Sequence, residues 1–257
     1  MTIEPVKGPR QGEHELRGKR GAVMAVVDFR KVNSNGELEK VYRLRYKVYC
    51  EEWGFEQKKD YPEGMERDVY DEQSTHFAAI REGQIIGTVR LIHNSDRGLP
   101  IEQHTRIDED LSDLDRDKVA EISRLAVSKD FRKRARDGLL YAGHVKNPLS
   151  PSLFAGMPEG RERRRSDLVT GLYKSMYVES KLTGLEHWFA VIARGLYLLL
   201  ARYGVVFSQI GPEVEYHGRR APYIAHIQDL EDQLAITNPK LKKEFETALE
   251  EARGSVS

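Results

Sequence analysis

The sequence predicts an α+β, or mixed α/β, fold built around one sheet. Three observations carry that prediction. Apolar runs of strand length first follow one another as a meander, then alternate with helix-period segments. A hairpin signal, Arg81-Glu-Gly-Gln84, sits between two such runs. An apolar stretch, Val119–Val127, carries an acid and a base and runs straight into a basic turn.

The elements follow in order. Residues 1–20 place Pro5, Gly8, Pro9, Gly12 and Gly18 among charges and read as a flexible tail. Residues 21–257 read as one domain. Val23–Phe29 is the first expected strand. Asn33-Ser-Asn-Gly36 then offers caps. Over Glu37–Trp53, Leu38, Val41, Tyr42, Val48, Tyr49 and Trp53 recur at helical spacing. Gly54–Ser74 is acidic and irregular. His76–Ile80 and Ile85–His93 form the hairpin, and Val119–Val127 is the next strand. Leu139–Val145 has helical character, and the prolines of 147–160 mark an excursion. Ser166–Thr183 is a helix stopped by Gly184. Trp188–Ile192 is a strand, Leu196–Tyr203 a short helix and Val205–Ile210 a strand. Gly211–Arg220 reads as a turn-rich connector, and Pro222–Ile227 is the last strand. A C-terminal helix spans 229–253, interrupted near Asn238-Pro239.

Composition narrows the function. Hydrophobic residues make up 39% and charged residues 32%, which suits a core with a wet surface. Forty-one Lys and Arg balance forty-one Asp and Glu, so only local clusters can speak of partners. The single cysteine, Cys50, excludes an intrachain disulfide and a cysteine-rich metal site. No His/Cys/carboxylate spacing resembles a metal site. No apolar run reaches the roughly 18 residues of a membrane span, and the polar N-terminus is not a signal peptide. A cytoplasmic protein is expected.

Three arginines stand where apolar residues would cost less: Arg45 in a helical stripe, Arg90 and Arg124 in strands. Buried arginines need carboxylates, and Asp68, Asp71 and Glu121 are the expected partners. A purely structural network is the alternative. Strand alternation puts Glu121 and Ser123 on one side and Arg124 on the other. If Glu121 and Arg124 serve one pocket, a β-bulge must lie between them.

The order Arg45…Trp53…Asp68-x-x-Asp71…Gly87-x-x-Arg90-Leu91…Glu121-x-Ser123-Arg124-x-Ala126-Val127 resembles the acyl-homoserine-lactone synthases and the long-chain N-acyl amino acid synthases. Both belong to the Gcn5-related N-acyltransferase (GNAT) superfamily. The resemblance covers about Glu37–Phe131. It implies a twisted, mixed, mostly antiparallel sheet flanked by helices on both faces, whose middle strands splay and whose bulged fourth strand is Val119–Val127. It implies a fatty acyl group moved from a phosphopantetheine thioester to the amine of an amino acid or similar acceptor, with no resident cofactor. The thioester is carried by acyl carrier protein or coenzyme A. Glu121 is then the expected general base, with Asp68 and Arg124 as further catalytic candidates. Arg45, Trp53, Asp71, Arg90 and Ser123 are expected to bind substrate.

Leu125, Ala126 and Val127 would line the pantetheine arm. Arg132 and Arg134 lie in a basic turn that lacks the glycine spacing of a pyrophosphate loop, and they would suit an acidic acyl carrier protein. The run Arg161-Glu-Arg-Arg-Arg165 would extend that surface. Gly211–Pro222 looks closer to acyltransferases of exopolysaccharide and exosortase gene clusters, with Tyr216, His217 and Arg219 at the pocket's border. A lactone-forming synthase and a non-catalytic binding module of the same fold remain as alternatives.

Overall fold

The structure is a computed structural model that describes residues 26–131 and 159–255. The expected tail, the Leu139–Val145 helix, most of the proline excursion, Arg132 and Arg134 lie outside the described residues.

Strand β1 (Asp28–Lys31) is shorter and later than expected and pairs antiparallel with β2 (Ser74–Arg81). Between them lies helix α1 (Asn35–Tyr46). Ser34 caps it, its Oγ accepting from Glu37 N at 3.3 Å. The sequence predicts one helix through Trp53. Instead α1 widens after Tyr46 into a π-type segment, Lys47–Glu52. Such segments re-aim side chains locally and are frequent at functional sites.

Strands β2 and β3 (Gln84–His93) form the expected hairpin, turning at Glu82-Gly83, both at positive φ. A short helix, α2 (Pro100–His104), precedes β4 (Val119–Val127), whose bounds are those expected. Helix α3 (Glu159–Thr183), strand β5 (His187–Ile192) and helix α4 (Arg194–Arg202) follow. The strand expected at Val205–Ile210 shrinks to β6 (Ser208–Gln209). The expected connector holds β7 (Val214–Glu215), which pairs with β8 (Arg219–His226). The C-terminal helix is two helices, α5 (Ile227–Thr237) and α6 (Pro239–Gly254), broken at Asn238.

The sheet order is β1-β2-β3-β4-β5-β8-β6, all antiparallel except β4–β5. Helix α3 lies on β1–β3, where Leu172 meets Gly87, while α1 lies against β3 and β4. The α3 side buries Trp188, Leu172 and Tyr173 in the main core. Full burial of such side chains stabilises by about 1.5–3 kcal/mol each. A second cluster packs Ile92, Leu99, Ile101 and Phe189 near α2.

Strand β4 is irregular on both edges. Its parallel ladder with β5 runs from Val119–His187 to Ile122–Ala190, and β4 continues five residues beyond that end. Its antiparallel ladder with β3 pairs Arg90 with Ser123 but Thr88 with Ala126. Arg124 and Leu125 therefore share one opposing residue, Val89. This is a β-bulge, with Arg124 at φ +51°.

Candidate functional site

The bulge lets consecutive side chains share a face. Ser123 Oγ accepts from Arg90 Nε at 2.9 Å, and Arg124 reaches the same side. There the three arginines and three acids close a ring of alternating charge. Arg45 pairs with Glu66, and Glu66 Oε1 lies 3.0 Å from Arg124 Nε. Arg124 Nη2 lies 3.1 Å from Asp68, and Asp68 grips Arg90 at 2.6 and 3.0 Å. Arg90 reaches Asp71 at 2.7 Å, and Asp71 returns to Arg45 at 2.6 and 3.1 Å. Arg45 and Glu66 are fully buried and Arg90 nearly so. Such charges persist only because each is paired and hydrogen-bonded.

Glu56 is a seventh charge, 3.2 Å from Arg124 Nη2 and 3.4 Å from His217 Nε2.

Glu121 stands apart from the ring. It was expected among the arginines' partners, but its Oε2 accepts instead from Ile101 N of α2 at 2.8 Å. Glu121 shares the face of Ser123 but lies two residues earlier on β4, at α2, and Glu66, from the irregular acidic stretch, takes the place beside Arg45. Burial pushes the Glu121 carboxyl up to about 8, against the pull of the Ile101 N–H, Arg90 and Arg124. The ring acids move the other way. Burial would raise Asp68 and Asp71, yet the arginines outweigh it and hold both below the usual carboxylate range. Two carboxyl populations with opposite shifts in one site suit proton transfer by the raised one and charge-holding by the others.

Tyr49, from the π-type segment, donates its hydroxyl to the Leu125 carbonyl at 2.9 Å and so satisfies a backbone group of the bulge. Over this end of the sheet lie Phe55 and His217, ring centroids 5.4 Å apart.

Residues 44–142 match the family profile described as Acetyltransferase (GNAT) domain. That stretch is similar to a GNAT domain.

Solved structures agree on the fold. FeeM, an N-acyl amino acid synthase from uncultured soil microbes, superposes with TM-score 0.51 at 14% identity, over 84% of this chain and 98% of that one. TofI, in a ternary complex with an inhibitor and MTA, gives 0.57 at 18% identity, over 84% and 98%. BjaI, a CoA-dependent acyl-homoserine lactone synthase with MTA, gives 0.56 at 16% identity, over 82% and 89%. A search of curated proteins finds no match.

Within the matched stretch the structure gathers Arg45, Asp68, Asp71, Arg90, Ser123 and Arg124 into one cluster, with Glu121 beside it. Leu125, within the bulge, and Ala126 and Val127 after it are buried. Trp53 stacks on Phe55, 6.0 Å between centroids, and Phe55 is the ring that meets Tyr49 and His217. Arg219 is exposed and pairs with Glu213. Sequence reasoning missed Glu56, Glu66, Tyr49 and Phe55. Tyr49, four residues beyond Arg45 on the same helical stripe, was the one with a readable signal.

Among the described residues, no group of His, Cys, Asp and Glu side chains is placed to hold a metal, and no helix is long and apolar enough to cross a membrane.

Proposed function

We propose that the protein is an N-acyltransferase that moves a fatty acyl group from a phosphopantetheine thioester to the amine of an amino acid or similar small acceptor. One observation carries the reading. Glu121, a buried carboxyl pushed up to about 8, sits one residue before the point where β4 and β5 part and three before the bulge. A base poised near neutral pH at a gap between strands suits removal of a proton from an amine.

In this reading the pantetheine arm enters the gap along Leu125, Ala126 and Val127. The amine nitrogen attacks the thioester carbonyl, and its proton passes to Glu121. The tetrahedral intermediate collapses with cleavage of the C–S bond, and the thiolate leaves and is protonated from Glu121. Bulge N–H groups supply donors for the oxyanion. Arg90, Arg124, Asp68 and Asp71 hold the geometry, and Arg45 and Ser123 brace them. Arg132 and Arg134 form a docking point for an acyl carrier protein in the cytoplasm.

The test incubates purified protein with acyl-carrier-protein and acyl-CoA thioesters and a mixture of amino acids, then follows thiol release and product mass. An open-chain N-acyl amino acid is expected. A lactone product would instead favour the signal-synthase alternative. Absence of thiol release with every thioester would overturn acyl transfer. Faster turnover of the carrier-protein thioester than of the CoA thioester is expected, and the reverse overturns the docking role of Arg132 and Arg134.

A further inference from the structure

The tip of the β7–β8 hairpin spans the site from one wall to the other. At its root, Ile210 O accepts from Asp108 N at 2.8 Å. Gly211 passes so near the preceding segment that an added Cβ would lie 2.0 Å from the Arg106 carbonyl oxygen. At its tip, His217 and Gly218 both take positive φ, +51° and +88°. Histidine accepts that region more readily than most residues, but at a cost that contacts must offset.

Those contacts reach in two directions. Tyr216 stacks on His104 of α2, with centroids 4.7 Å apart and planes 16° from parallel. His217 sets its ring 5.4 Å from Phe55 and its Nε2 3.4 Å from Glu56. Arg220 fixes the tip by donating twice to the His217 carbonyl, at 3.3 and 3.2 Å, with its guanidinium over Phe55 at 5.5 Å. The two walls are those that hold the site's key side chains. Helix α2 anchors Glu121 through Ile101 N, and Glu56 holds Arg124. Tyr216 and His217 are half-buried, so the strap lies over the site without being part of the core.

We infer that the Tyr216-His217 strap is the specificity element for the amine acceptor: it closes the acceptor end of the site between α2 and Glu56 and sets the size of the amine admitted there. The inference rests on the acyl-transfer reading above. Tyr216 and His217 are positioning residues in it, because they shape the opening and brace the anchors of Glu121 and Arg124. Thioester entry is on the other side of the bulge, along Leu125–Val127, so the strap should act on one substrate only.

Steady-state kinetics on the full chain tests this with Tyr216→Ala, Tyr216→Phe and His217→Ala. The alanine variants should raise KM for the amine roughly tenfold, as expected for loss of an aromatic contact, and leave KM for the thioester unchanged. They should also accept bulkier amines that the wild type refuses, and Tyr216→Phe, which keeps the ring, should restore the wild-type range. Should His217→Ala fail to fold, Tyr216→Ala carries the test, since its ring stacks on α2 rather than on Phe55. Unchanged amine KM and range in the folded variants, or parallel changes in both KM values, overturn the strap's role alone. A wild type that releases no thiol from any thioester overturns the acyl-transfer reading and the strap's role with it.

Discussion

Ser123 and Arg124 are chain neighbours whose side chains serve one face of the sheet: Ser123 Oγ holds Arg90 Nε at 2.9 Å, and Arg124 Nε holds Glu66 at 3.0 Å. Regular alternation forbids this, and the bulge permits it at the cost of a positive φ at Arg124. Arg124→Gly separates backbone from charge, because glycine adopts that φ freely. Loss of the guanidinium leaves the buried Glu66 with Arg45 alone and Glu56 without its arginine. A destabilisation of about 3–5 kcal/mol is expected from urea unfolding, the usual cost of removing one partner of a buried pair. A variant as stable as wild type would show that strain at Arg124 cancels what the ring contributes.

Glu121 sets the pH response. As a base it must be ionised, so kcat/KM should rise with pH through an apparent value near 8. Glu121→Gln should lower kcat/KM by about 10²–10⁴ and abolish that limb. Stability gives the second readout. The folded carboxyl titrates near 8 and the unfolded one near 4.3, so the folded state holds the extra proton between those values. Stability should therefore fall as pH rises through that window, and Glu121→Gln should remove the fall between pH 7 and 9. Equal slopes for both proteins in that range would place the Glu121 titration elsewhere.

The acid side has a different source. Burial and nearby arginines push His76 and His217 down to about 4, so both stay neutral in the fold where the unfolded chain protonates near 6.5. The unfolded state binds more protons between those values, and this part of the stability is lost as pH falls from about 6.5 to about 4. Below that, Glu66, Asp68 and Asp71, all held low against burial by their arginines, lose theirs in turn. His76→Gln should lose less stability than wild type between pH 7 and pH 5, measured by urea midpoint. An identical loss would assign the acid response to other groups.

The legible parts of the molecule are its apolar runs of strand length. The β2–β3 hairpin and β4 are such runs, buried nearly throughout, and their bounds lie within two residues of those read from sequence. The expected bulge follows from one constraint, that Glu121 and Arg124 serve one pocket, and the register shift opposite Arg124 provides it. The ring is only half legible. Arg45, Arg90 and Arg124 stand out because charge interrupts an apolar pattern, whereas Glu56 and Glu66 lie in an irregular acidic stretch where another carboxylate interrupts nothing. Tertiary packing alone selects Glu66 for burial beside Arg45. The π-type turn after Tyr46 is hidden for a related reason: its apolar spacing is still helical, and only the reach of Tyr49 to the Leu125 carbonyl distinguishes it.

Gly211 gives the last prediction. An added Cβ would meet the Arg106 carbonyl oxygen at 2.0 Å and the Pro222 ring at 2.9 Å. The first contact is with backbone, which cannot swing aside as a side chain would. The segment is also tied to its neighbour, since Asp108 N donates to Ile210 O at 2.8 Å. Relief must come from parting the 106–108 segment from the root of the hairpin. Gly211→Ala should therefore cost about 1–3 kcal/mol, the usual range for overpacking. Gly36→Ala is the matched control, because it lies in α1 with nothing within 4 Å of the added Cβ. It should be neutral or stabilising by up to about 1 kcal/mol, since alanine favours helix over glycine. If the two substitutions shift the urea midpoint alike, the close approach of Gly211 to Arg106 does not constrain the hairpin root.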